Sequence, residues 1–169
     1  ARGNFVRIDM EGSSYTERTL AVFRRLRGRF GNVGIVLQSY LRRTPGDVRE
    51  AASAGWNVRL CKGAYLEPPE IAFPLMSEVD RNYLDCAGIL LASESLAQGT
   101  RPCFATHDPA MIAGVKALVS RHGVPRDRFE FQMLYGIRRD LQQALVAEGF
   151  TVRVYVPYGP QWYPYLMRR

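Results

Sequence analysis

Short apolar runs ending in polar residues alternate along the whole chain with stretches whose apolar residues recur at helical spacing. Six runs read as strands: "FVRID" (Phe5 to Asp9), "VGIVLQ" (Val33 to Gln38), "VRLCK" (Val58 to Lys62), "CFATH" (Cys103 to His107), "FEFQML" (Phe129 to Leu134) and "VRVYV" (Val152 to Val156). Between them Leu20, Phe23, Leu26 and Phe30 form one helical stripe, and Met111, Ile112, Val115, Leu118 and Val119 form another. Asp108-Pro109 reads as a helix cap followed by proline at the first helical position, and Gly123 and Gly149 read as helix stops. The longest connection, from Glu67 to Gly99, opens as a Pro-rich loop and continues as a helix through Leu75, Val79, Tyr83 and Leu90.

Strands alternating with helices predict an α/β fold with a parallel sheet of right-handed βαβ units. Neither GxGxxG nor GxxxxGK[ST] occurs, so the nucleotide-binding open sheets have no support. The remaining parallel architecture is a (β/α)8 TIM-like barrel, which takes eight strands and roughly 200 residues or more. The pattern supplies about six of the eight. The chain also starts without Met and stops on two arginines in a helical stretch. The expectation is therefore a barrel cut at both ends, with residues 1–169 forming one partial domain.

Composition changes this picture little. The 169 residues, 47% hydrophobic and 23% charged, suit one soluble domain with a real core. No apolar run is long enough to span a membrane and no signal peptide is apparent. Cys61, Cys86 and Cys103 are an odd set without CxxC spacing, which suggests neither disulfides nor a metal site and fits a reducing cytoplasm. The net charge of +7 sits largely in "RRLRGRF" (Arg24 to Phe30) and "LRR" (Leu41 to Arg43). Without a recognised binding module these read as solvated faces, and nucleic acid is not an expected partner. An anionic membrane surface would explain the charge equally well.

Barrel chemistry collects at the C-terminal ends of the strands. Those positions hold Asp9, Gln38, Arg59 with Lys62, Thr106 with His107, Gln132 with Leu134, and Tyr155. Arg59 and Lys62 together suit a phosphate or a flavin ring that gains negative charge on reduction. Gln38 suits the edge of a heterocycle, since it offers both donor and acceptor. Asp9, followed two residues later by Glu11, can pair with an arginine or a substrate amine. At the end of the chain Tyr165, Arg168 and Arg169 share a helical face. Two adjacent guanidiniums suit a carboxylate guest held by bidentate forks. A solvated helix end complementing the helix dipole is the other reading; the polar set at the strand ends favours the clamp.

Six motifs in order, "RIDMEGS", "QSYLRR", "RLCKGAYLEP", "FATHD", "FEFQMLYGI" and "VYVPYG…WYPYLMRR", resemble the strand-end motifs of the flavin-dependent proline dehydrogenases from Val6 to Arg169. The resemblance implies a distorted (β/α)8 barrel holding FAD, oxidation of L-proline to Δ1-pyrroline-5-carboxylate by hydride transfer to flavin N5, and a membrane quinone as electron acceptor. It implies a cytoplasmic enzyme, peripheral to the inner membrane at most, and leaves open fusion to an aldehyde dehydrogenase. Carried over by motif, Arg168 and Arg169 bind the proline carboxylate, and Tyr155, Tyr165, Leu134, Ala64 and Tyr65 line the ring pocket. Arg59 sits near N5 and Gln38 on the flavin ring edge. Met10, Lys62, Gly63, Ala64, Thr106 and His107 lie along the FAD. Asp9, paired with Arg59 in the catalytic set, orients Arg168 or a neighbouring cation instead of abstracting a proton. His107 is thus a cofactor contact, not a metal ligand, and His122 a helix-end residue facing solvent. By the family pattern the chain runs from the third strand into the start of the eighth helix. Another barrel enzyme acting on a small amino or carboxylic acid, or an inactive anion-binding barrel fragment, are the alternatives.

Overall fold

A computed structural model describes residues 3–160. Six strands, β1 (Val6–Ile8), β2 (Val33–Gln38), β3 (Asn57–Cys61), β4 (Arg101–Ala105), β5 (Glu130–Leu134) and β6 (Val152–Tyr155), form one sheet in sequential order. Every neighbouring pair is parallel. The crossovers carry α1 (Ser13–Arg27), α2 (Thr44–Ser53), α3 (Met76–Leu91), α4 (Ser93–Ala97), α5 (Pro109–His122) and α6 (Arg139–Ala147). Strands that pair in chain order, each returning through a helix, are the repeat of a (β/α)8 barrel, here a half-barrel of six strands joined by five helical crossovers among the described residues.

The pleat sorts the side chains. Ile35, Leu37, Val58, Leu60, Phe104, Phe131 and Met133 are buried, and they join Leu20, Phe23, Tyr83, Leu90 and Val115 from the helices in one core. Phe104, Phe129, Phe131 and Phe150 stack in tilted and edge-on pairs 5.5 to 6.4 Å apart. Such pairs add to what area burial supplies. The alternate positions, among them Asp9, Gln38, Arg59 and Gln132, turn to the opposite, concave face, because successive strand residues point to opposite sides.

The caps follow the sequence. Asp108 Oδ1 accepts from the Ala110 N–H at 2.8 Å, Pro109 opens α5, and Gly123 closes it in the left-handed conformation at φ 62. Gly149, at φ 82, follows α6. His122 ends α5 and is exposed. Two expectations need correction. Phe30 does not continue the first stripe: α1 stops at Arg27, Gly28 follows, and Phe30 is exposed beside the Arg29 guanidinium. Leu75 precedes α3 and is likewise exposed, so the buried stripe begins at Val79. One arginine of each basic run is paired within the fold. Arg24 pairs with Glu17 and Glu50, and Arg43 with Glu17 and Asp47, all at 2.7 to 3.0 Å.

Candidate active site

Beyond the strand ends lies a cavity of about 1070 Å³ lined by Asp9, Met10, Gln38, Arg59, Lys62, Gly63, Ala64, Tyr65, Thr106, His107, Leu134 and Tyr155, with Gln132 also in its wall. Every described residue that the sequence singled out is therefore in one place. Tyr165, Arg168 and Arg169 lie outside the described residues.

Arg59 is the hub. Its Nη1 donates to Asp9 Oδ1 at 2.7 Å, its Nε to Gln132 Oε1 at 2.5 Å, and its guanidinium lies over the Tyr155 ring, 5.5 Å from the centroid. The arginine side chain is 15% exposed and the aspartate 51%, so the pair stands at a wet mouth with its cation inward. Asp9 has thus found the neighbouring cation that the sequence reading allowed it.

Lys62 is arranged differently from that reading. It does not stand with Arg59 as a second available cation. Its Nζ lies 2.7 Å from Asp108 Oδ2 and 2.5 Å from Asp80 Oδ1. Burial works against its charge, yet the hydrogen bond it donates to Asp108 and its close pairing with Asp80 raise its pKa above the ordinary value. Two carboxylates on one ammonium leave a local excess of negative charge, which disfavours a bare phosphate there. Asp108 therefore has two jobs, capping α5 and holding Lys62. Nothing local in the sequence marked Asp80, which reaches the site from α3.

The next turn of chain is shaped by a glycine. Gly63 has φ +100, and a Cβ there would stand 2.1 Å from the Tyr40 ring. Only glycine fits both constraints, and the backbone approaches the buried ring closely as a result. Tyr65 donates a hydrogen bond to Glu11, and Glu67 accepts the N–H and hydroxyl of Ser13 at 2.7 Å, tying this loop to the start of α1. On the other wall His107 Nε2 accepts the Leu134 N–H at 2.8 Å. Among the described residues no cluster of His, Cys, Asp or Glu could hold a metal ion.

Gln38 tests whether the site suits a flavin. It is 3% exposed, and its Nε2 donates to the Glu11 carbonyl at 2.9 Å. Its Oε1 is buried with no hydrogen-bond partner among the described residues. A buried acceptor costs free energy unless a donor meets it. The imide N–H on the edge of an isoalloxazine is such a donor, so the residues fit the group. Sequence reasoning found Gln132 and its partner Arg59 but not Glu130 and Arg153 behind them. Glu130 and Arg153 alternate with Phe131, Val152 and Val154, a period-two signal that could have placed them on the face of Gln132 and Tyr155.

A family model described as proline dehydrogenase matches residues 1–169. The chain is 49% identical to the proline dehydrogenase of Deinococcus radiodurans over 169 residues, which are 99% of this chain and 53% of the relative. It is 44% identical over 164 residues to proline dehydrogenase 2 of Bacillus subtilis, covering 97% of this chain and 52% of that protein. It thus spans about half the length of these relatives. The crystal structure of proline utilization A from Bdellovibrio bacteriovorus, inactivated by N-propargylglycine, superposes with a TM-score of 0.90 and 33% identity, over 98% of this chain and 19% of that one. A parallel half-barrel whose polar strand ends converge on one cavity, matched along its whole length by these sequences, belongs to the proline dehydrogenase family.

Proposed function

We propose that residues 1–169 form the greater part of the catalytic barrel domain of an FAD-dependent enzyme that oxidises L-proline to Δ1-pyrroline-5-carboxylate and passes the electrons to a quinone. The observation that carries the reading is Arg59, fixed by Asp9 and Gln132 over Tyr155 and facing a cavity where Gln38 keeps a buried acceptor that meets no donor among the described residues. FAD, when bound, supplies the acceptor for a hydride from the ring carbon beside the proline nitrogen.

The chain's own residues do the rest. Gln38, Met10, Lys62, Gly63, Ala64, Thr106 and His107, all in the cavity wall, would hold the cofactor. Lys62 serves as a donor already neutralised by Asp80 and Asp108, so its part is orientation more than charge. Arg59 is a fixed positive charge, and a preorganised cation stabilises developing negative charge without reorganising at the moment of reaction. Asp9 accepts from Arg59 and so acts as its orienting partner. The proton of the substrate nitrogen leaves to solvent at the open mouth as the C=N bond forms. Tyr155, Leu134, Ala64 and Tyr65 exclude water from the ring, with Tyr165 completing the wall and Arg168 and Arg169 gripping the carboxylate by bidentate forks. The enzyme works in the cytoplasm at the periphery of the inner membrane, where quinone resides. Among the described residues no helix is long and apolar enough to cross a membrane.

The test is an anaerobic visible spectrum of the purified protein with FAD and then L-proline. The reading expects a flavin band that shifts on binding and bleaches with proline but not with other amino acids. A flavin that binds and stays oxidised in proline refutes it.

A further inference from the structure

The lumen holds a polar chain that runs from Arg59 through Gln132 to Glu130 and Arg153, the last two of which the proposed reaction does not use. Arg59 on β3 and Gln132 on β5 are separated by all of β4, a span of about 10 Å between strand axes. Arg59 crosses it because the residues β4 turns inward beside the crossing, Cys103 and Ala105, are small. In register Cys103 lies beside both Arg59 and Glu130, and Ala105 lies beside Gln132. Beyond the crossing, Gln132 Nε2 donates to Glu130 Oε1 at 2.5 Å, and Arg153 grips Glu130 through Nε at 2.7 Å and Nη2 at 2.9 Å. Glu130 is 2% exposed. Burial alone would raise its pKa, but the hydrogen bonds from Arg153 and Gln132 outweigh burial and hold it below the ordinary carboxyl range.

An ionised carboxylate offers only acceptors, whereas a glutamine amide offers one acceptor and one double donor. With Glu130 ionised, the Gln132 NH2 turns towards it, and the amide oxygen is thereby turned towards Arg59. We propose that Glu130 and Gln132 are a positioning relay, in which the carboxylate fixes the polarity of the amide and the amide fixes the direction in which Arg59 presents its guanidinium to the cavity. What Arg59 then faces rests on the dehydrogenase reading; the relay itself does not. Glu130 is not part of the cavity wall and acts through Gln132, so it is a positioning residue. A plain structural role, a buried ion pair with Arg153, would stabilise the sheet and leave Arg59 indifferent to it.

Glu130→Gln separates the two. It removes the charge at constant size, and Gln132 is then free to rotate and set its NH2 against Arg59 Nε–H, donor against donor. The double exchange Glu130→Gln with Gln132→Glu restores an acceptor opposite Arg59 and a donor opposite residue 132. The readout is the Arg59 Nε–H resonance in nitrogen-15 arginine-labelled protein, assigned by its loss in Arg59→Lys. Its solvent exchange needs neither flavin nor proline, so proline-driven bleaching of the wild type reports on the dehydrogenase reading separately. In Glu130→Gln, exchange should speed by at least about tenfold, the worth of one charge-assisted hydrogen bond. In the double exchange it should return to near the wild-type rate. Slow exchange kept in Glu130→Gln overturns the relay. So does fast exchange in a folded double exchange, which keeps the test decisive if the single variant does not fold.

Discussion

Gly63→Ala puts the shape of the cofactor loop to a quantitative test. The residue sits at φ +100, and the added Cβ would lie 2.1 Å from Tyr40 Cδ1 and 2.6 Å from Cε1. Holding a non-glycine residue in such backbone costs about 1–3 kcal/mol. Tyr40 cannot step aside cheaply, because it is 6% exposed and packed with Leu41, Ala72 and Val79. Its N–H also donates to the Lys62 carbonyl at 2.8 Å. Forcing a methyl into such packing adds about 1–3 kcal/mol. The sum, about 2–6 kcal/mol, corresponds to a fall in Tm on the order of 5–20 °C for a domain of this size. Thermal melting followed by circular dichroism, with urea titration for the free energy, is the assay. A double-mutant cycle with Tyr40→Ser adds a control, since removing the ring should leave only the backbone share of the Gly63→Ala penalty. A Tm within about 2 °C of wild type, or an undiminished penalty in the Tyr40→Ser background, would refute the argument.

Gly34→Ala in β2 should cost about 1–3 kcal/mol in urea unfolding. A Cβ there meets the Asn57 carbonyl and the Phe5 ring at 2.8 Å and Arg7 Nη1 at 3.0 Å. Glu130 predicts a slope in stability with pH. Its folded pKa lies below the ordinary 4.5, so the unfolded chain binds the extra proton, and the contribution is full above 4.5 and lost as pH falls through the folded value. Urea titrations across that acid window should therefore show a weaker fall in Glu130→Gln than in wild type. Arg168→Ala should raise the proline KM by at least about tenfold while flavin stays bound, the size of one lost charge-assisted hydrogen bond to the carboxylate; unchanged proline affinity would remove Arg168 from the clamp.

What could be read from the sequence was whatever depends on local pattern. The alternation of short apolar runs with helical spacing placed all six strands within a few residues, because strands buried under helices must be apolar on the covered face. The rule that barrel chemistry gathers at strand ends then picked out Asp9, Gln38, Arg59 and His107 together. Partners set by tertiary distance were hidden. Asp80 and Asp108 approach Lys62 from different helices, and Arg59 reaches Gln132 across an intervening strand. Phe30 misled because its spacing fits the stripe while Gly28 ends the helix one turn sooner. α4 is too short to show periodicity.

The strictly sequential strand order bears on how the chain acquires its shape. Each strand docks on the one synthesised just before it, so the sheet can grow one unit at a time as the chain emerges, without waiting for a distant segment. The closing cost of each unit rises only with the logarithm of the intervening length. The joint with the longest intervening chain is that between β3 and β4, where residues 62–100 intervene with two helices and the Gly63 loop. That joint also brings Lys62 to Asp108, and the β4–β5 step that follows it carries Gln132 to Arg59. The cavity's polar wiring is thus completed only after the longest connection has closed, and a chain stopped short of it would have a formed first half and no site.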